Sequence, residues 1–244
     1  MNCICMSLIA CAALLPALQG RGAVDIIVPQ GALGGDGNSD VSPLNSGQTR
    51  FQQVYDASIF AGYPQGVLID SVEYRVDSLL GHGFDTTVFN VQIHLSTTSK
   101  AVDSLSPVFA ENVGSDDRLV AGPAPFRLFN LGGGGVQGGW EALVDIRSVP
   151  FYYNPASGNL LLDIIAPNGA VTTAFDAVDM PGDSVSSVAS YFVTPIPSSG
   201  QLSTIGMSTL FAFDPVPEPS TVTIFVLGMV AAGLAARKRI RRSN

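Results

Sequence analysis

Val91-Gln92-Ile93-His94-Leu95 alternates apolar and polar side chains without a break. Successive side chains of a strand leave opposite faces, so this pattern marks an extended segment with one face buried and one face wet. Val72-Glu73-Tyr74-Arg75-Val76 repeats it, with Glu73 and Arg75 on the wet face. Leu160-Leu161-Leu162-Asp163-Ile164-Ile165 is apolar almost throughout, which predicts a central strand covered on both faces. Working outward, strands are expected over 52–59, 67–76, 89–96, 126–131, 141–149, 159–166, 171–175, 187–194 and 209–213. Turn signals separate them, among them Gly81-His82-Gly83, Asn154-Pro155-Ala156-Ser157-Gly158 and Pro181-Gly182-Asp183. No repeat at solenoid or propeller periods is present. The expectation is one all-β domain, a β-sandwich of jelly-roll type over 51–214, with a Gly-, Asn- and Ser-rich flexible leader over 24–50. Residues 195–200 read as a linker.

Composition agrees. The chain has 26 Gly and 16 Pro and only 13% charged residues, a mixture suited to short strands and many turns. Between Gly22 and Pro217 stand six Lys and Arg against nineteen Asp and Glu, a balance of −13. Such a surface repels phosphate backbones, so nucleic acid is not an expected partner. All three cysteines (Cys3, Cys5, Cys11) lie in the first eleven residues, which leaves the body without disulfides, thiolate ligands or a thiol nucleophile.

The two ends read as export signals. Residues 4–18 are apolar apart from Cys and Ser7 and are followed by Gln19-Gly20-Arg21-Gly22-Ala23, which predicts a signal peptide over 1–23. Met1-Asn2-Cys3 lacks the usual Lys or Arg, and Leu8-Ile9-Ala10-Cys11 offers a lipoprotein cleavage box as an alternative. At the other end, Val216-Pro217-Glu218-Pro219-Ser220-Thr221 precedes 16 uncharged residues over 221–236, about 24 Å of helix. Prolines cannot continue that helix backward, and Ser220 or Thr221 can cap it. Arg237, Lys238, Arg239, Arg241 and Arg242 then form a cationic stop that belongs on the cytoplasmic side, leaving the body outside.

This three-part tail over 216–244 resembles the PEP-CTERM sorting domain of Gram-negative bacteria, through Pro217-Glu218-Pro219, the Gly-containing apolar stretch and the terminal Arg cluster. The resemblance implies recognition by an exosortase, a membrane cysteine transpeptidase that cuts near the motif and releases or re-anchors the body. It makes Glu218 a recognition residue. Residues 50–57, 90–98 and 158–163 are similar to a β-sandwich module of surface proteins, which implies no activity.

Candidate chemistry within the body is sparse. Asp36, Asn38 and Asp40 place oxygens at alternate positions, as a Ca²⁺ loop does, but Val41 stands where such a loop needs Gly and Gly47 where it needs an acid. A solvated loop is the plainer reading. Asp116-Asp117 and the set Asp176, Asp179, Asp183 are further calcium candidates. Gly133 to Gly138 spells a dinucleotide-type glycine pattern with no helix to follow it, which reads as a turn. His82 and His94 are the only histidines, with no acidic or cysteine partner at ligand spacing. Trp140, Tyr152 and Tyr153 are candidates for an aromatic platform that stacks on a sugar ring, against core packing as the plainer reading. No pair of carboxylates is singled out for glycoside hydrolysis. The functional expectation is a non-catalytic, exported structural or adhesive protein of the cell surface or its polysaccharide matrix, with no cofactor required. A calcium-dependent lectin-like module is the alternative, and a surface polysaccharide hydrolase the third reading.

Overall fold

The computed structural model describes residues 23–217 except 31, 33–34, 45–48, 133–138, 168–170, 192 and 194. The expected signal peptide, the membrane helix over 221–236, the cationic stop, the glycine pattern at 133–138 and the motif residues Glu218 and Pro219 therefore lie outside the described residues. The strands in chain order are β1 (Val24–Val28), β2 (Ser39–Val41), β3 (Thr49–Tyr55), β4 (Val67–Tyr74), β5 (Phe84–Val88), β6 (Gln92–Thr98), β7 (Arg118–Ala121) and β8 (Phe126–Asn130). They continue as β9 (Ala142–Asp145), β10 (Phe151–Tyr153), β11 (Asn159–Ala166), β12 (Phe175–Asp179), β13 (Val185–Tyr191), β14 (Gln201–Ser203), β15 (Ile205–Met207) and β16 (Thr209–Pro215). Helix among the described residues is confined to short 3-10 turns, and none is long and apolar enough to cross a membrane.

The architecture is all-β and sandwich-like. One sheet runs β14-β13-β3-β11-β6-β7, and the other runs β1-β16-β4-β10, with β9 following β10 along the same edge of β4. All pairings in both are antiparallel. Two small sheets, β15-β12-β2 and β5-β8, complete the fold. The core between the large sheets joins Phe51, Tyr55, Ile93, Leu95, Leu160, Leu162 and Ile164 from the first to Ile69, Val72, Tyr74, Phe211 and Phe213 from the second. Aromatic rings centre it: Phe60 meets Tyr153 edge-on at 5.1 Å, and Tyr55 meets Phe211 at 4.9 Å.

β11 is central, as its apolar run predicts. Leu160, Leu162 and Ile164 face the main core, while Leu161 on the opposite face joins Val54, Val188, Leu105 and Phe109 in a second cluster. Residues 102–113 form a strap that roofs this outer face. The strap is tied down by polar groups. Gln52 Nε2 donates to the Phe109 carbonyl (3.2 Å) and to Asp163 (2.8 Å), Asn112 Nδ2 donates to Gln52 (3.0 Å), and Arg50 grips Asp163 with Nε and a terminal nitrogen (3.1 and 2.6 Å). A carboxylate inside a central strand is tolerated because every nearby donor is aimed at it.

Three expectations are corrected. The leader over 24–50 is not a free segment: β1 pairs in full register with β16, Val24 opposite Phe213 through Val28 opposite Thr209, and β2 pairs with β12. The β-branched run Val24-Asp25-Ile26-Ile27-Val28 outweighs the polar composition that follows it. The strand expected over 171–175 begins only at Phe175. Residues 195–200 are pinned rather than linking, since Phe109 N–H donates to the Ser198 carbonyl (3.1 Å) and Gly200 N–H to that of Pro107 (2.8 Å).

Candidate functional site

Beyond its last ladder residue, the β4 chain continues as Arg75-Val76-Asp77 against Ala174-Phe175-Asp176. Asp77 N–H donates to the Ala174 carbonyl and Asp176 N–H to the Arg75 carbonyl, both at 3.0 Å. This brings a charged pair into the interior. Arg75 Nε donates to Asp176 Oδ2 (2.7 Å), one terminal nitrogen lies 2.6 Å from the same oxygen, and the side chains are 6% and 0% exposed. The same terminal nitrogen donates to the carbonyls of Ala32 (3.0 Å) and Gly35. The Trp140 indole stacks on the guanidinium at 4.9 Å. Alternation places Arg75 on a wet face; Ala32, Gly35 and Trp140, distant in sequence, cover it.

Asp36 and Asp77 join Asp176, with one oxygen from each of the three within 4.8 Å of the others. Five of the six oxygens already accept hydrogen bonds: both of Asp176 from Gly37 N–H and Arg75, both of Asp36 from Ser78, and Asp77 Oδ1 from the N–H groups of Leu79 and Leu80. Gly37 is required here, since a Cβ at that position would stand 1.9 Å from the Ala177 carbonyl oxygen. The trio is thus a hydrogen-bonded junction between two loops and strand β12. Asp77 and Asp176 are buried, so a sugar cannot reach them as a hydrolytic pair.

The calcium candidates separate. Asp36 joins the trio, whereas the Asn38 amide brackets Asp179, its Oδ1 accepting from Asp179 N–H (2.7 Å) and its Nδ2 donating to the Asp179 carbonyl (3.1 Å). Asp40 lies opposite Asp176 in the β2–β12 ladder, and burial followed by the Asp77 charge raises its pKa. Within the other set, Asp183 is also raised, by burial first and then by Asp103 and Asp179. Asp116 and Asp117 are engaged locally, the former by Thr97 N–H (2.7 Å), the latter by His94 Nδ1 (3.1 Å).

The aromatic candidates also part. Tyr153 is fully buried in the core, with its hydroxyl donating to the Gly158 carbonyl (2.8 Å) and burial raising its pKa. Tyr152, one residue earlier, faces outward at 48% exposure. Trp140 stands just before β9, whose Ala142 pairs with Tyr74, whereas Tyr152 pairs with Leu68. Those partners lie six residues apart along β4, roughly 20 Å at about 3.3 Å per residue, so the three do not make one platform. Sequence reasoning missed Arg75 and Asp77, because nothing local marks a charge that distant segments will cover.

The remaining feature is the exit of the chain. β16 lies between β1 and β4, and Phe213 is clasped by Phe60 (5.8 Å) and Tyr63 (4.9 Å). Beyond it Asp214 pairs with Leu68 and Pro215 with Val67, and Val216 N–H donates to the Gly66 carbonyl at 3.0 Å. Pro217 follows directly. The class so defined is an all-β body carried on a C-terminal tail that begins where its last strand ends. Residues 215–242 match the PEP-CTERM protein-sorting motif. That tail directs the chain toward the cell surface and marks it for exosortase processing. No curated protein and no solved structure shows significant similarity to the chain.

Proposed function

We propose that the chain is a non-catalytic structural or adhesive protein of the outer surface or polysaccharide matrix of a Gram-negative bacterium. In this reading a signal peptide over 1–23 starts export, and a helix over 221–236 with its cationic stop holds the chain in the inner membrane. An exosortase then acts near Pro217-Glu218-Pro219. The body is a jelly-roll-like sandwich that works without a cofactor. The observation that carries the proposal is the sorting-motif match over 215–242, which begins on the final residue of the last strand of a folded, acidic, cysteine-free body. Replacing Pro217, Glu218 and Pro219 by alanine is expected to leave an unshortened form in the inner membrane, read by immunoblot of fractionated cells. Maturation at the parental rate would refute the sorting role.

The lectin-like alternative rests on Trp140, half-buried beside the acidic junction. Under that reading, binding on a glycan array disappears in Trp140→Ala; silence across varied glycans removes it.

A further inference from the structure

Strand β1 is a sheet edge. It pairs with β16 on one side, and among the described residues no strand lies on the other. The backbone N–H and C=O groups on that side form a template for a further strand, and proteins blunt such edges by keeping them short or charged. The remaining edge strands of the two large sheets, β7, β9, β10 and β14, are three or four residues long. β1 has five, and Asp25 is the one charge in Val24-Asp25-Ile26-Ile27-Val28.

Beside this edge runs a groove of about 790 Å³, walled on its far side by the turns after β3 and before β13. Its apolar lining includes Ile26, Ile59 and the exposed Met180. Its charges are Asp25, Asp56 and Asp183, and among the described residues no Lys or Arg lines it. Glu73 on β4 stands close enough for the Asp25 charge to add to the burial that raises its pKa. Asp183 Oδ1 accepts from Val185 N–H (2.8 Å), whereas its Oδ2 has no donor among the described residues. The groove is short of positive charge. Val24, Ile26 and Val28 pack toward the core, which leaves Asp25 and Ile27 on the opposite face of β1. An added strand obeys the same alternation, with apolar side chains on the face of Ile26 and basic ones on the face of Asp25.

We infer that the free edge of β1 is a docking site for an extended, basic segment of another protein, which adds as a strand with alternate Lys or Arg side chains beside Asp25 and with Asp56 and Asp183 across the groove. Main-chain hydrogen bonds to the edge supply affinity, and the acids select the partner. A second copy of the chain does not fit, because β1 brings no cation to meet Asp25 and two bodies of −13 repel each other. The inference stands apart from the sorting role, since nothing in it involves the tail.

The test uses the full chain, purified in detergent, and three labelled nine-residue peptides. One alternates Val and Lys, one alternates Val and Glu, and the third is the Val-Lys peptide with every amide N-methylated. Binding is read by fluorescence anisotropy, and its place by hydrogen exchange. The Val-Lys peptide is expected to bind at least about tenfold more tightly than the other two and to slow exchange in β1. Asp25→Lys on the edge and Met180→Lys on the far wall should each weaken it by about tenfold. Equal binding of the Val-Glu or the N-methylated peptide overturns the inference, as does binding that leaves exchange in β1 unchanged or that neither variant weakens. A full chain that dimerises with β1 protected in the absence of peptide also overturns it, since the occupant is then a second copy.

Discussion

Arg75 is held from three sides: by the Asp176 carboxylate, by the backbone carbonyls of Ala32 and Gly35, and by the Trp140 indole. Two charges taken out of water pay a large desolvation cost, which the pair offsets through the bonds of Nε and one terminal nitrogen to Asp176 and to the Ala32 and Gly35 carbonyls. Removing one partner is therefore much worse than removing both. Arg75→Ala leaves Asp176 buried next to Asp36 and Asp77, and is expected to lower stability by about 3–5 kcal/mol in urea unfolding. The double variant Arg75→Met with Asp176→Leu should recover most of that loss. Arg75→Lys should not, because an ammonium cannot reproduce the fork that spans Asp176 and the Ala32 carbonyl. Equal losses for Arg75→Ala and the double variant would show that packing, not the unpaired carboxylate, sets the cost. Trp140→Ala removes only the stacked face, and about 0.5–2 kcal/mol is expected.

At the scale of elements, the large β14-to-β7 sheet has two cores, one shared with the opposing sheet and one under the strap over 102–113. Phe109 is the centre of the second: it is fully buried, packs with Leu105, Leu161, Val54 and Val188, and carries the Arg50 guanidinium on its ring at 4.9 Å. Phe109→Ala should cost about 3–5 kcal/mol and speed hydrogen exchange in β3 and β11. Protection of β11 left at the parental level would show that the strap is not its cover. The strap also explains what the sequence made legible. β11 announces itself because both of its faces are apolar, so its two covers are written into one run of residues. β4 and β6 are legible for the simpler reason that alternation is local. β1, β2, β7, β10, β14 and β15 are short, three to five residues each, too brief for a period to show, and they exist because a neighbour supplies the ladder. The charged junction was illegible for the same physical reason: burial of Arg75 comes from residues some forty and sixty-five positions away. Where to look for the tail, by contrast, was fully local, since a breaker, an apolar run and a cationic end need no folding partner.

For the molecule as a whole, the dominant electrostatic fact is an acidic body of −13 between Gly22 and Pro217. Several carboxylates feel it in the folded state. Burial raises the pKa of Asp40, Asp70, Glu73 and Asp183, and neighbouring acids add to each: Asp77 to Asp40, Asp214 and Asp145 to Asp70, Asp25 to Glu73, and Asp103 and Asp179 to Asp183. A carboxyl group with a raised folded pKa binds its proton more readily in the folded chain than in the unfolded one. Stability is therefore gained as pH falls through the raised folded values, and the gain is complete below the ordinary values of 3.8 and 4.5. Asp85 and Asp145, lowered by hydrogen bonds from Arg127 and Arg147, pull the other way, losing their contribution only as pH falls below the ordinary Asp range. Both of these pairs are exposed and screened, so the first group governs the range between neutrality and about pH 5. Thermal unfolding followed by circular dichroism should then show Tm rising, not falling, as pH is lowered from 7 to about 5. Added salt at neutral pH should raise Tm as well, because it screens the same repulsion, and should do less at pH 5, where part of the charge is already gone. A Tm that falls across that interval would mean that the carboxylates held below their ordinary range, Asp85 beside Arg127 and Asp145 beside Arg147, outweigh the crowded ones, and that the acidity of this body stabilises its fold.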